Sequence, residues 1–111
     1  MPKRILFVCT MNRNRSVMAE VIFKRLLQQV KNPSKSGIRC GSAGIRAPDG
    51  APADASTFQV MKRRGFDLNE FESSRLMSEL VREADLVLTM ERAQKSQIAH
   101  TMPESASKVF T

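Results

Sequence analysis

The sequence predicts an α/β fold built on a parallel sheet. Two apolar runs, residues 3–9 and 85–90, show no polar alternation, as expected of strands buried on both faces. Helical patterns separate them, and strands alternating with helices pack as right-handed crossovers into a single parallel sheet. The third observation is the spacing Cys9, five residues, Arg15, Ser16 at the first strand-to-helix junction. In such a sheet ligands bind at the carboxyl ends of the strands.

The elements follow in order. Residues 3–9 form the first strand. Ala19, Ile22, Phe23, Leu26, Leu27 and Val30 recur at steps of three and four, the stripe of an amphipathic helix over residues 16–30. Asn32-Pro33 stops that helix, and residues 34–37 are a loop. A weaker strand lies within residues 37–45 and ends at Ser42-Ala43-Gly44. Residues 47–52, Ala-Pro-Asp-Gly-Ala-Pro, are turn-rich. Asp54 is placed to cap a helix running to about Arg64, with Gly65 closing it. Residues 77–83 read as a short helix, 85–90 as the third strand, 91–101 as a helix and 107–111 as a fourth strand.

A chain of 111 residues is one domain, residues 1–111. Apolar residues at 41% and charged residues at 26% are ordinary for a globular protein. No apolar run is long enough to span a membrane, and the short apolar start does not read as a signal peptide. A cytoplasmic protein is expected. Two cysteines, Cys9 and Cys40, are too few for a disulfide scaffold or a zinc site, and His100 is the only histidine. No metal or cofactor is expected. The formal charge of +7 reads equally as a solvated basic face and as steering of a phosphorylated or otherwise acidic substrate. The basic residues are scattered and there is no Trp or Tyr to stack on bases, so nucleic acid is not the expected partner.

The chemistry concentrates in Cys9-Thr10-Met11-Asn12-Arg13-Asn14-Arg15-Ser16. A tight turn at a helix N-terminus points several backbone N–H groups at one spot, and the helix dipole favours an anion there. Arg15 adds a planar, permanently charged fork that matches two phosphate oxygens. The same field favours the thiolate of Cys9, and Ser16 can hydrogen-bond to it. A thiolate facing a cradled phosphorus is a nucleophile in position. The bare spacing is a weak signal, and Cys9 as a buried structural thiol is the competing reading.

Phe7-Val8-Cys9, Asn12, Arg15-Ser16 and Met18-Ala19-Glu20 resemble the signature of the low-molecular-weight protein tyrosine phosphatase family. Ser42-Ala43-Gly44 resembles its second marker, and residues 85–91 its third strand with the acidic residue that follows. The resemblance runs in order through essentially the whole chain. It implies a three-layer α/β fold with a four-stranded parallel sheet in order 2-1-3-4. It implies that Cys9 forms a phosphocysteine, that Arg15 clamps the phosphoryl oxygens and that Ser16 supports the thiolate. It implies that Thr10, Met11, Asn12, Arg13 and Asn14 complete the phosphate loop, held in shape by hydrogen bonds of Asn12 and Ser42. Substrates would be phosphotyrosine or a related phosphomonoester, with phosphate or vanadate as inhibitors.

Several positions depart from the family pattern. Met11 stands where glycine is usual and would be strained by a positive φ. Arg13 is bulky and charged at the pocket wall. Phe71 replaces a histidine of the loop-supporting network. The family's general acid, an aspartate in an Asp-Pro loop beyond the fourth strand, has no counterpart up to Thr111, nor does the family's last helix. The resemblance therefore implies a C-terminally short domain and slow turnover. Asp49 in Pro-Asp-Gly reads as a turn former before it reads as an acid. A phosphate-binding module without turnover is one alternative. A thiol-dependent arsenate reductase is another, for which only Cys40 is on hand as a second thiol. Order 2-1-3-4 also puts the first helix on one sheet face and the later helices on the other. Leu86, Leu88, Val109 and Phe110 would then be partly uncovered, inviting a homodimer through that face or marginal stability.

Overall fold

A computed structural model describes residues 3–30 and 37–111. The strands are β1 (Arg4–Cys9), β2 (Arg39–Gly44), β3 (Leu86–Thr89) and β4 (Val109–Phe110). The helices are α1 (Arg15–Gln29), α2 (Ala55–Arg63), α3 (Ser78–Glu83) and α4 (Arg92–Thr101), with a 3₁₀ turn at Pro103–Lys108. The sheet is four-stranded and parallel, in order β2-β1-β3-β4. The expected elements are therefore all present, with ends within a few residues of those read from the sequence. The helix stop at Asn32-Pro33 lies outside the described residues.

β1 lies at the centre because its neighbours cover both edges, and five of its six residues are buried. Leu6 and Val8 point to one face, where they pack with Val81 and Ala84 beside α3, Ile98 of α4, Val87 and Val109. Phe7 points to the other, where its ring meets Phe23 of α1 edge-on at 5.8 Å. The unalternating apolar run thus reflects two covered faces.

Three expectations about the helices need correction. α1 does not bury the whole predicted stripe: Phe23 and Leu27 are half-buried, while Ile22, Leu26 and Val30 are exposed. The reason is a second contact. Val17, Met18 and Val21 turn toward Met61 and Phe58 of α2 and toward Leu68 and Phe71, which pulls the helix's buried side away from Ile22 and Leu26. α2 accordingly packs beside α1 rather than on the opposite sheet face, where α3 and α4 lie. Among the strand residues expected to be uncovered, Leu86 and Leu88 are half-buried and Phe110 is exposed, but Val109 is buried. Its register partner is Val87, so it faces the α3–α4 side.

Asp54 is the N-cap of α2, although its carboxylate accepts from the Ser56 hydroxyl instead of a helix N–H. Gly65 follows α2 at φ +86°, a left-handed closure that glycine takes without strain. Among the described residues, no helix is long and apolar enough to cross a membrane.

Candidate active site

β1 ends at Cys9 and α1 begins at Arg15, so residues 10–14 must reverse the chain within five residues. Asn12 makes that turn at φ +53°, a left-handed conformation that asparagine tolerates better than most side chains. The strain expected of Met11 is absent: its φ is not positive, and its side chain projects to the surface.

The turn is closed by a chain of hydrogen bonds with one consistent direction. The Ser74 backbone N–H donates to Asn12 Oδ1 at 2.8 Å, which fixes the amide's orientation. Asn12 Nδ2 then donates to Ser16 Oγ at 2.8 Å. Ser16 therefore has its own proton free for Cys9 Sγ, 2.8 Å away. The Asn12 backbone N–H also points at Cys9 Sγ, at 3.1 Å. Two donors converge on one sulfur, the arrangement that stabilises a thiolate. Asn12 and Ser16 are fully buried and Cys9 nearly so.

The rest of the loop is tied to three other elements. Asn14 Oδ1 accepts from Thr57 Oγ1 of α2 at 2.8 Å. The Arg13 carbonyl accepts the Asp54 N–H at 2.8 Å, and Arg13 Nε donates to the Pro52 carbonyl at 3.3 Å. The Arg13 side chain thus leans toward residues 52–54, where its charge helps to lower the carboxyl of Asp54, second to the hydrogen bond from Ser56. Thr10 Oγ1 accepts from Gln94 Nε2 of α4 at 3.1 Å. Arg15 extends to the rim, where it pairs with Glu91 at 2.5 Å. At the end of β2, Gly44 lies against the loop so closely that a Cβ there would fall 2.6 Å from Asn12 N and 2.7 Å from Thr10 O. That contact accounts for the glycine of Ser42-Ala43-Gly44.

Ser42 is the site residue the structure does not bring to the loop. Its hydroxyl donates to the Glu20 carboxylate on α1, which also receives Lys24 at 2.5 Å. The support of Asn12 expected from Ser42 comes instead from the Ser74 main chain. Phe71, in place of a network histidine, packs with Val17, Met61 and Leu68. Asp49 lies in a turn with Gly50, as read from the sequence, but its carboxylate accepts the distant Arg75 N–H at 2.9 Å and makes no bond within the turn. His100 is exposed in the last turn of α4. Cys40 is half-buried, and burial is the main cause that raises its thiol above the usual range. It pairs with Ile5, four residues back along β1 from Cys9, so the two cysteines lie about 13 Å apart along the strand direction. That separation is too large for a disulfide without backbone movement.

Sequence reasoning missed Ser74, Thr57 and Gln94. Ser74 acts through its backbone, on which the sequence is silent. Gln94 did leave a trace: it stands three residues after Glu91, the spacing of a capping box, and Glu91 and Gln94 do form one. The trace was hidden because glutamate is not among the usual N-cap residues.

This geometry defines a tight loop around a buried cysteine, between the first strand and first helix of a parallel α/β sheet, and comparison with known proteins gives that fold a family. The family described as low molecular weight phosphotyrosine protein phosphatase matches residues 4–111. The probable low molecular weight protein-tyrosine-phosphatase EpsP of Ralstonia nicotianae is 39% identical over 110 residues, covering 99% of this chain and 70% of its own. Among solved structures, the YwlE arginine phosphatase from Geobacillus stearothermophilus superposes with a TM-score of 0.86 at 35% identity, over 99% of this chain and 66% of its own. The tyrosine phosphatase Wzb from Escherichia coli K30, in complex with sulphate, has a TM-score of 0.86 at 32% identity, over 98% of this chain and 71% of its own. The chain belongs to the low molecular weight phosphotyrosine protein phosphatase family, and it spans roughly two thirds to 70% of the length of these relatives.

Proposed function

We propose that the protein hydrolyses phosphotyrosine or a related phosphomonoester through a phosphocysteine at Cys9. One observation carries this reading: the Ser16 hydroxyl and the Asn12 N–H both address Cys9 Sγ, at the N-terminus of α1 and in the same loop as Arg15. The thiolate attacks phosphorus in line with the leaving oxygen, which departs with the bonding pair and takes up a proton. The loop N–H groups and Arg15 stabilise the equatorial oxygens as charge redistributes. Water then attacks the phosphocysteine, releasing phosphate and returning the electron pair to sulfur, where the Ser16 and Asn12 donors receive it. Glu91 holds the Arg15 guanidinium at the rim of the loop.

The relatives divide between tyrosine and arginine phosphatases by name. The positive charges of Arg13 and Arg15 in the loop favour a phosphomonoester, whose leaving group brings no cation of its own. Free phosphate and vanadate would compete for the same cradle. The distance of Cys40 from Cys9 counts against a reductase that needs a resolving thiol. Catalysis by a free thiolate suits a reducing compartment, which supports the cytoplasm as the place of action.

The test is turnover of p-nitrophenyl phosphate, whose good leaving group reduces the need for acid assistance. Cys9→Ser should abolish turnover while phosphate still binds, because the N–H cradle and Arg15 remain. Comparable turnover by that variant would refute the mechanism.

A further inference from the structure

Gln94 is nearly fully buried, and the three hydrogen bonds of its side-chain amide are directional. Its Oε1 accepts the N–H groups of Met90 and Glu91, each at 2.9 Å. A carbonyl oxygen only accepts, so the amide has one orientation, with Nε2 facing Thr10 Oγ1 at 3.1 Å. The two main-chain bonds belong to the start of α4, where Glu91 in turn caps the Gln94 N–H. The third bond leaves the helix and crosses 84 residues of sequence to the residue that follows the nucleophile. On its main-chain side Thr10 is held as well, since its carbonyl accepts the Arg46 N–H at 2.8 Å. The same first turn of α4 carries Glu91, whose carboxylate grips Arg15. One side chain therefore anchors the entry of the loop at Thr10, and it fixes the backbone of the residue that anchors the exit at Arg15.

We infer that Gln94 is a positioning residue, which sets the spacing between Cys9 and Arg15 by bonding to Thr10 and to the backbone of Glu91. The inference rests on the phosphate-loop reading above and adds to it a residue outside the loop. Loss of the Thr10 bond frees one arm of the cradle without removing any group that touches phosphate. Its first consequence is weaker anion binding, before any change in the chemistry of sulfur.

The experiment measures the phosphate concentration that halves the alkylation rate of Cys9 by iodoacetamide, with the unfolding midpoint recorded for each variant. Thr10→Val removes the acceptor and leaves the helix cap intact, while Thr10→Ser keeps the hydroxyl. Thr10→Val should raise the protecting phosphate concentration about fivefold, the effect of one lost hydrogen bond, and should lower the unfolding midpoint by a few degrees because Gln94 Nε2 loses its acceptor, so protection is measured well below that midpoint. Thr10→Ser should protect as the unaltered chain does. Gln94→Met should match or exceed the loss in Thr10→Val, and the double variant should be no worse than Gln94→Met alone, because both changes break the same bond. A Thr10→Val protein protected like the unaltered chain, or losses that add in the double variant, would overturn the inference. If Gln94→Met does not fold, the two Thr10 variants decide it alone. Absence of phosphate protection in the unaltered chain would overturn both this inference and the function on which it rests, whereas protection that ignores Thr10 would overturn the inference only.

Discussion

Replacing Asn12 by alanine tests the loop at its most committed residue. Asn12 is fully buried, stands at φ +53°, and bonds through its side chain to Ser16 and to the Ser74 N–H. Alanine removes both bonds and leaves the Ser74 N–H and the Ser16 oxygen without their partner. A buried group left unsatisfied costs about 1–3 kcal/mol. A non-glycine residue held in the left-handed region costs about 1–2 kcal/mol, and alanine cannot offset this as asparagine does through its local bonds. Together these effects amount to about 3–8 kcal/mol, a large share of the 5–15 kcal/mol typical of a domain. Asn12→Gly separates the two contributions: it removes the same bonds but relieves the backbone, and it should be about 1 kcal/mol more stable than Asn12→Ala. Urea unfolding at pH 7 measures all three proteins, and p-nitrophenyl phosphate turnover should fall in both variants. An Asn12→Ala protein within about 1 kcal/mol of the unaltered chain would refute the hydrogen-bond chain from Ser74 to Cys9.

Three further outcomes are expected. Arg15→Lys keeps the charge but loses the fork that pairs with Glu91 and matches phosphate oxygens; turnover should fall at least about 100-fold, and unchanged kinetics would make Arg15 a surface residue. The Lys3 and Arg4 N–H groups hold the Asp85 carboxyl below its usual value, so its contribution is complete above the unfolded carboxylate range near pH 4 and is lost as pH falls through the lowered value. Asp85→Asn should accordingly lower the melting temperature at pH 7, with the difference from the unaltered chain shrinking by pH 3; a constant difference would show that the carboxylate charge plays no part. Ile22 and Leu26 on α1 are exposed, as is Phe110 at the sheet edge, and Leu86 and Leu88 are half-covered, so the 111-residue chain should self-associate at tens of micromolar and Leu26→Lys should weaken that association. Sedimentation showing a concentration-independent monomer that binds no hydrophobic dye would contradict this.

The sequence made the frame of the fold and the heart of the site legible for the same reason: both are written in local patterns. β1 is buried on both faces, and β3 is buried on one and half-covered on the other, so their apolar runs carry no polar alternation. The spacing from Cys9 to Ser16 is fixed by the single turn between β1 and α1. What stayed hidden lies in contacts between distant segments. The buried side of α1 differs from the stripe its periodicity predicts because α2 and residues 66–71 form a second partner for the helix, and no periodicity within α1 announces them. Support from Ser42 was expected because a serine at the end of β2 lies near the loop, yet Glu20 of α1 claims its hydroxyl. The bond that Asn12 needs comes from a backbone N–H at position 74, for which any residue but proline would serve. Position 74 is therefore constrained by its main chain and not by its serine.

This division bears on how the site is kept rigid. The loop has seven residues from Cys9 to Arg15, and its hydrogen bonds reach Ser74, Thr57, Asp54 and Gln94, while Gly44 closes on it from the end of β2. All of these partners are distant in sequence, and Gly44, the nearest, stands 29 residues past Arg15. A left-handed Asn12 whose N–H is turned onto the buried Cys9 sulfur is unfavourable as a free peptide, because a backbone donor withdrawn from water is costly. The loop therefore acquires its shape only when β2, α2, the segment around residue 74 and α4 have all packed around it. Its geometry is a product of the whole domain, although its chemistry can be read from eight consecutive residues. A residue such as Gln94, which neither touches the sulfur nor belongs to the signature, then has a direct route to the behaviour of Cys9 through Thr10.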